Sequence, residues 1–139
     1  MKKFKVGYTQ GTFDLFHIGH LNVINNAKAL CDYLIVGVNS DELVMSYKNK
    51  KTNIPAQDRA KIVSAIKGVD KVIITTTLDK KIIHEMISFD AIFIGDDWKG
   101  NERWKKTEEE LAKVGAEVVY LPHTDGISTT MISERIEKK

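Results

Sequence analysis

A single cysteine, Cys31, stands in 139 residues. That excludes an internal disulfide and fits a reducing compartment. No apolar run approaches the roughly 18 residues that a membrane span needs, so no membrane partner is expected. The lysines that open "MKKFKVGY" have no apolar stretch behind them, so no signal peptide is expected. Charge of one sign is also missing: 21 Lys and Arg face 19 Asp and Glu, for a net charge of +2 and a pI of about 8.6. Without a dense basic stripe interleaved with aromatics, no nucleic-acid partner is expected. The chain has no internal repeat, low-complexity segment or linker. The expectation is one cytoplasmic globular domain over 1–139, long enough to bury a core without disulfides or metal.

What is present is alternation. Short β-branched runs at 4–9, 33–38, 71–76, 91–95 and 116–121 read as strands. Helical spacing fills the gaps at 20–30, 55–67, near 79–88, at 101–115 and at 128–139. On the first of these, Val23, Ile24, Ala27 and Leu30 share a stripe. On the fourth, Trp104, Leu111 and Val114 face inward, and Gly115 stops the helix. Ser40 and Asp41 cap a short helix, Pro55 opens another, and 46–53 is a lysine-rich loop. Five strands alternating with helices predict a single-domain, Rossmann-like α/β fold: an open parallel sheet with helices on both faces. Such sheets bind ligands beyond the carboxyl ends of their strands.

The unusual residues fall at those ends. "GTFDLFHIGH" follows the first strand, the lysine loop the second, "GDDW" the fourth, and "LPHTDGISTT" the fifth. His17 and His20 stand one turn apart at the start of a helix, where the macrodipole is positive and backbone N–H groups lack partners. Gly19 between them lets an anion approach the backbone. Two imidazole donors plus backbone N–H groups suit phosphate oxygens; simple capping or packing is the structural alternative. A metal site fits less well, because an i,i+3 pair supplies only two ligands. Ser128, Thr129 and Thr130 follow the Asp125-Gly126 turn at a second helix start, and bind phosphate or cap the helix. Arg59 shares an apolar stripe with Ile62, Val63 and Ile66, so it needs an anionic partner. That partner is either a bound phosphate or an internal carboxylate.

Taken together, "GTFDLFHIGH", "GDDWKG" and "HTDGISTT" resemble three motifs, in order, of the small cytidylyltransferases of the nucleotidyltransferase superfamily. "VNSDE" and "VVYLP" are similar to family text as well. The resemblance implies transfer of CMP from CTP to a small phosphorylated alcohol, glycerol 3-phosphate first among them, with release of pyrophosphate. It implies Mg²⁺, or another divalent cation, carried with CTP, and no organic cofactor. It implies a homodimer and a role in making cell-surface polymer. By the same resemblance, His17 and His20 stabilise the α-phosphoryl transition state and the leaving group. Lys48 and Lys50 bridge CTP and acceptor, and Arg59 holds phosphate. Gly11, Thr12, Phe13 and Asp14 line the nucleotide pocket. Gly95, Asp97 and Trp98 shape its cytidine end. Ser128 and Thr129 hold the β- and γ-phosphates, and His123, Thr124 and Thr130 also bind the nucleotide.

Two positions depart from the family pattern: His123 replaces an arginine, exchanging a permanent bidentate cation for a titrating one, and Lys67 replaces a second arginine. Other phosphorylated acceptors therefore stay open, among them other phospho-polyols, phosphocholine, phosphoethanolamine and phosphorylated amino compounds. Three other readings compete. His17-Ile18-Gly19-His20 also spells an element of class I aminoacyl-tRNA synthetases, but the chain has no K-M-S-K-S loop and no length for a tRNA-binding domain. Transfer from ATP is a second, and a CTP-binding sensor without turnover is a third.

Overall fold

The computed structural model describes residues 2–122. Strands β1 (Phe4–Gly11), β2 (Cys31–Asn39), β3 (Lys71–Thr75), β4 (Ala91–Gly95) and β5 (Glu117–Leu121) form one sheet in the order β3-β2-β1-β4-β5. Every pairing is parallel. The connecting helices are α1 (Ile18–Leu30), α2 (Asp41–Lys48), α3 (Ala56–Ser64), α4 (Lys80–Ile87) and α5 (Glu102–Ala112), with a 3₁₀ turn at Asp96–Trp98. The expected open parallel sheet is present. The helix expected at 128–139 lies outside the described residues.

Side-chain alternation divides the core into two halves. Leu34, Val36 and Val38 of β2 join Ala91 and Phe93 of β4 on one face, beneath Ile24 and Ala27 of α1 and Val63 of α3. Ile35 and Ile92 point the other way with Tyr8, beneath Ile83 of α4 and Trp104 and Leu111 of α5. A strand covered on both faces requires an almost unbroken apolar run, which is what β2 supplies. The chain lays β2 and β3 to one side of β1, then returns to place β4 on its other side. Strand order reverses between β1 and β4, so a crevice opens beyond their carboxyl ends, at Gly11 and Gly95.

Three local expectations change. Residues 46–48 belong to α2 rather than to a loop. The Ser40 hydroxyl caps that helix on Leu43 N–H, Asp41 and Glu42 sit in its first turn, and Asn49 accepts the left-handed conformation that closes it. Val114 is 47% exposed because α5 has already ended at Ala112; Gly115, at φ +82, makes the turn as expected. Ile62 is 41% exposed because the inward line of α3 is Ala56, Arg59 and Val63.

Gly37 tests how closely the sheet packs. It lies mid-strand in β2, and a Cβ there would overlap the Tyr8 hydroxyl and come within 2.9 Å of Thr75 Cγ2. Tyr8 cannot yield easily, since it is fully buried, stacks on Phe89 and donates to Gln10 Oε1 at 2.8 Å. Gly37→Ala is expected to lower stability by about 1–3 kcal/mol, the usual cost of overpacking. Urea denaturation should show a lower midpoint at unchanged slope; a wild-type midpoint would mean that the Tyr8 ring is not held there.

Candidate active site

The turn after β1 is built under backbone strain. Phe13 and Leu15 both adopt left-handed φ, at 54° and 49°. Such residues cost about 1–3 kcal/mol each and persist only where their surroundings hold them. Here the Phe13 ring is buried in the core, and the Asp14 carboxylate receives bonds from Asn53 N, Asn53 Nδ2 and Ile54 N. The turn delivers His17 to the N-cap of α1.

That cap is made by two imidazoles. His17 Nδ1 accepts from Gly19 N–H at 3.0 Å, and His20 Nδ1 accepts from His17 N–H at 3.1 Å. The spacing matches a reciprocal capping box, with histidine in place of the usual hydroxyl and carboxamide. An Nδ1 that accepts carries no proton, so each neutral ring bears its hydrogen on Nε2 and keeps that donor for a ligand. The rings stack with centroids 3.8 Å apart, and Phe13 and Phe16 flank His20. Burial lowers the His17 pKa; burial and then the His17 neighbour push His20 down to about 4, with Asp14 pulling weakly the other way. The first turn of α1 holds no acidic residue that would offset its positive end from within the helix.

Around this pair the other candidates divide into two groups. Lys48, Lys50, Asp97 and Trp98 are exposed, on the end of α2, on the segment after it and on the 3₁₀ turn after β4. Gly95 has open space where a Cβ would stand, whereas a Cβ at Gly11 would meet the Phe13 ring at 3.1 Å. Thr12 Oγ1 lies 3.3 Å from both Asn39 Nδ2 and the Tyr47 hydroxyl. Phe13 and Asp14, expected to line a nucleotide pocket, have buried side chains, one in the core and one against the Asn53–Ile54 backbone. For Arg59 the structure shows the internal alternative. Its side chain is wholly buried, donating to Ile54 O, Thr12 O, Asn39 O and Asp41 Oδ1. It takes the internal carboxylate rather than a phosphate at the rim. Burial alone would raise the Asp41 carboxyl, but bonds from Thr52, Arg59 and Ala56 N–H hold it below its ordinary range. His123, Thr124, Ser128, Thr129 and Thr130 lie outside the described residues. Among the described residues no group of three or more His, Cys, Asp or Glu is placed to hold a metal ion.

Sequence reasoning passed over Asn39. It is buried at the carboxyl end of β2 and bonds to Gln10, Thr12, Tyr47 and Thr75. A polar residue closing a doubly covered strand must find buried partners, and that was a usable clue.

The neutral histidine pair links folding to pH. A pKa held below the unfolded value of 6.5 means that the unfolded chain takes up protons first on acidification. The His20 contribution is therefore complete above about 6.5 and is lost as pH falls toward about 4. Thermal melts of wild type and His20→Asn between those limits should converge as pH falls. Parallel curves would show that His20 is not held neutral.

Residues 8–135 match the family described as cytidylyltransferase-like. The chain is 42% identical to glycerol-3-phosphate cytidylyltransferase of Bacillus spizizenii, over 91% of this chain and 92% of that one. It is 40% identical to FAD synthase of Thermococcus kodakarensis, over 91% and 87%. The crystal structure of the lipopolysaccharide core biosynthesis protein from Thermoplasma volcanium superposes with a TM-score of 0.77 at 25% identity, over 88% of this chain and 99% of that one. With this likeness running through nearly the whole chain, and the histidine cap at the point where strand order reverses, the protein belongs to the cytidylyltransferase-like family.

Proposed function

We propose that the protein transfers CMP from CTP to glycerol 3-phosphate, or to a small phosphorylated alcohol much like it, and releases pyrophosphate. An oxygen of the acceptor phosphate attacks the α-phosphorus of CTP in line. The bond from that phosphorus to the bridging oxygen breaks, and the electron pair leaves with pyrophosphate. The work left to the protein is positioning and charge stabilisation.

The observation that carries this reading is the reciprocal histidine cap. Two neutral Nε2–H donors, held by backbone at the positive end of a helix, suit the charge that gathers on the α-phosphoryl oxygens and the leaving group. Lys48 and Lys50 supply mobile positive charge between CTP and the acceptor phosphate. Gly95, Asp97 and Trp98 frame the cytidine end, and Gly11 and Thr12 border the nucleotide. Ser128 and Thr129 take the β- and γ-phosphates, and His123, Thr124 and Thr130 contribute to nucleotide binding. Mg²⁺ would be carried with CTP and would offset the charge of its phosphates there. Glycerol 3-phosphate is supported as acceptor by the name of the Bacillus relative. The FAD synthase relative supports a second pairing, ATP with a flavin phosphate, as the competitor to test. The reading includes a cytoplasmic homodimer.

Pyrophosphate release decides between them. Turnover is expected with CTP and glycerol 3-phosphate and not with ATP and FMN; the reverse preference would overturn the assignment. His17→Ala and His20→Ala should each lower kcat about a hundredfold or more, the scale for loss of one transition-state donor. Both variants should still unfold cooperatively. Near-normal kcat in either would remove that ring from the chemistry.

A further inference from the structure

We propose that Arg59 and Asp14 are positioning residues that clamp the far end of the lysine segment onto the turn bearing the histidines. Lys48, Lys50, His17 and His20 then address one phosphate chain together. The proposal rests on the CTP-dependent reading for its kinetic arm only.

The two side chains grip Ile54 from opposite sides. The Asp14 carboxylate accepts Ile54 N–H at 2.9 Å, and Arg59 Nε donates to Ile54 C=O at 2.8 Å. An anion thus meets the donor and a cation meets the acceptor of the same residue, the arrangement of charge that strengthens both bonds. Each side chain is also tied back to the turn after β1. Asp14 belongs to it, and Arg59 Nη1 donates to Thr12 C=O at 2.6 Å. Asp14 adds Asn53 N–H at 2.8 Å and Asn53 Nδ2 at 3.0 Å. Arg59 Nη2 reaches Asp41 Oδ1 at 2.6 Å, and the same oxygen takes the Thr52 hydroxyl at 2.8 Å. Residues 52, 53 and 54 are all held.

The near end of the segment is pinned to the same turn. The Tyr47 hydroxyl, next to Lys48, lies 3.2 Å from Asn39 Nδ2 and 3.3 Å from Thr12 Oγ1. Only Asn49, Lys50 and Lys51 remain as an exposed stretch between two anchors, and both anchors lead to residues 12–14. Arg59 has no solvent exposure and reaches the reaction only through what it holds. A lysine there cannot span oxygens belonging to Ile54, Thr12, Asn39 and Asp41, because an ammonium is a point charge and a guanidinium is a planar fork.

The test uses full-length Arg59→Lys, Asp14→Asn and Lys50→Ala. In the protein without nucleotide, trypsin should cut after Lys50 and Lys51 about tenfold faster in each clamp variant, since cleavage follows local opening. Melting should remain cooperative. With CTP and acceptor, each clamp variant should lose about tenfold in kcat/KM for CTP, mostly through KM. Adding Lys50→Ala should cost little beyond the larger single loss, because both changes remove the same positioned charge. Wild-type cleavage rates in Asp14→Asn overturn the proposal. So do losses that multiply, which would make Arg59 and Asp14 general stabilisers. If Arg59→Lys does not fold, Asp14→Asn and Asn53→Ala decide. If the wild type does not turn over CTP, the functional reading fails while the proteolysis result still judges the clamp.

Discussion

The first turn of α1 is closed by two imidazoles, and the character of the site follows from that. Each ring gives up Nδ1 to a backbone N–H, so neither can become a cation without breaking the cap that starts the helix. Neutrality is thereby built into the fold, and the aromatic wall of Phe13 and Phe16 beside His20 reinforces it. What the pair keeps is two Nε2–H donors, at the start of a helix whose first turn holds no acidic residue.

The protein divides its charges by burial. Arg59 is sealed inside, where the Asp41 carboxylate and three backbone carbonyls satisfy it. Asp41 itself is partly exposed, but removing it would strand the buried guanidinium, which makes Arg59 better at fixing geometry than at handling a ligand that must leave. Lys48 and Lys50 are exposed. One sign of charge is thus used in two ways, a buried cation that holds the frame and exposed cations left to solvent.

The likenesses separate what is common from what varies. Proteins named for glycerol 3-phosphate and for FAD align with this sequence over most of its length, and one named for lipopolysaccharide core shares the fold. A strand-end site follows from strand order in such a sheet and needs no particular acceptor. His123 stands where the family pattern has arginine, and it lies outside the described residues.

Local regularities of sequence determined the fold class. Five apolar runs of strand length, helical periodicity between them, and polar motifs falling after strands were enough to predict a parallel sheet with its site at the carboxyl ends. His17 and His20 were legible for the same reason: a helix start can be read from neighbours a few residues apart. The fates of Arg59, Asp14 and Phe13 were not. Arg59 meets Thr12 and Asn39 across 47 and 20 residues, and Asp14 meets Ile54 across 40. Whether a charged side chain on an apolar stripe faces a phosphate or a carboxylate depends on which distant oxygens the packed sheet brings within hydrogen-bond reach. Spacing along the chain carries no record of that, and only the tertiary structure decided it.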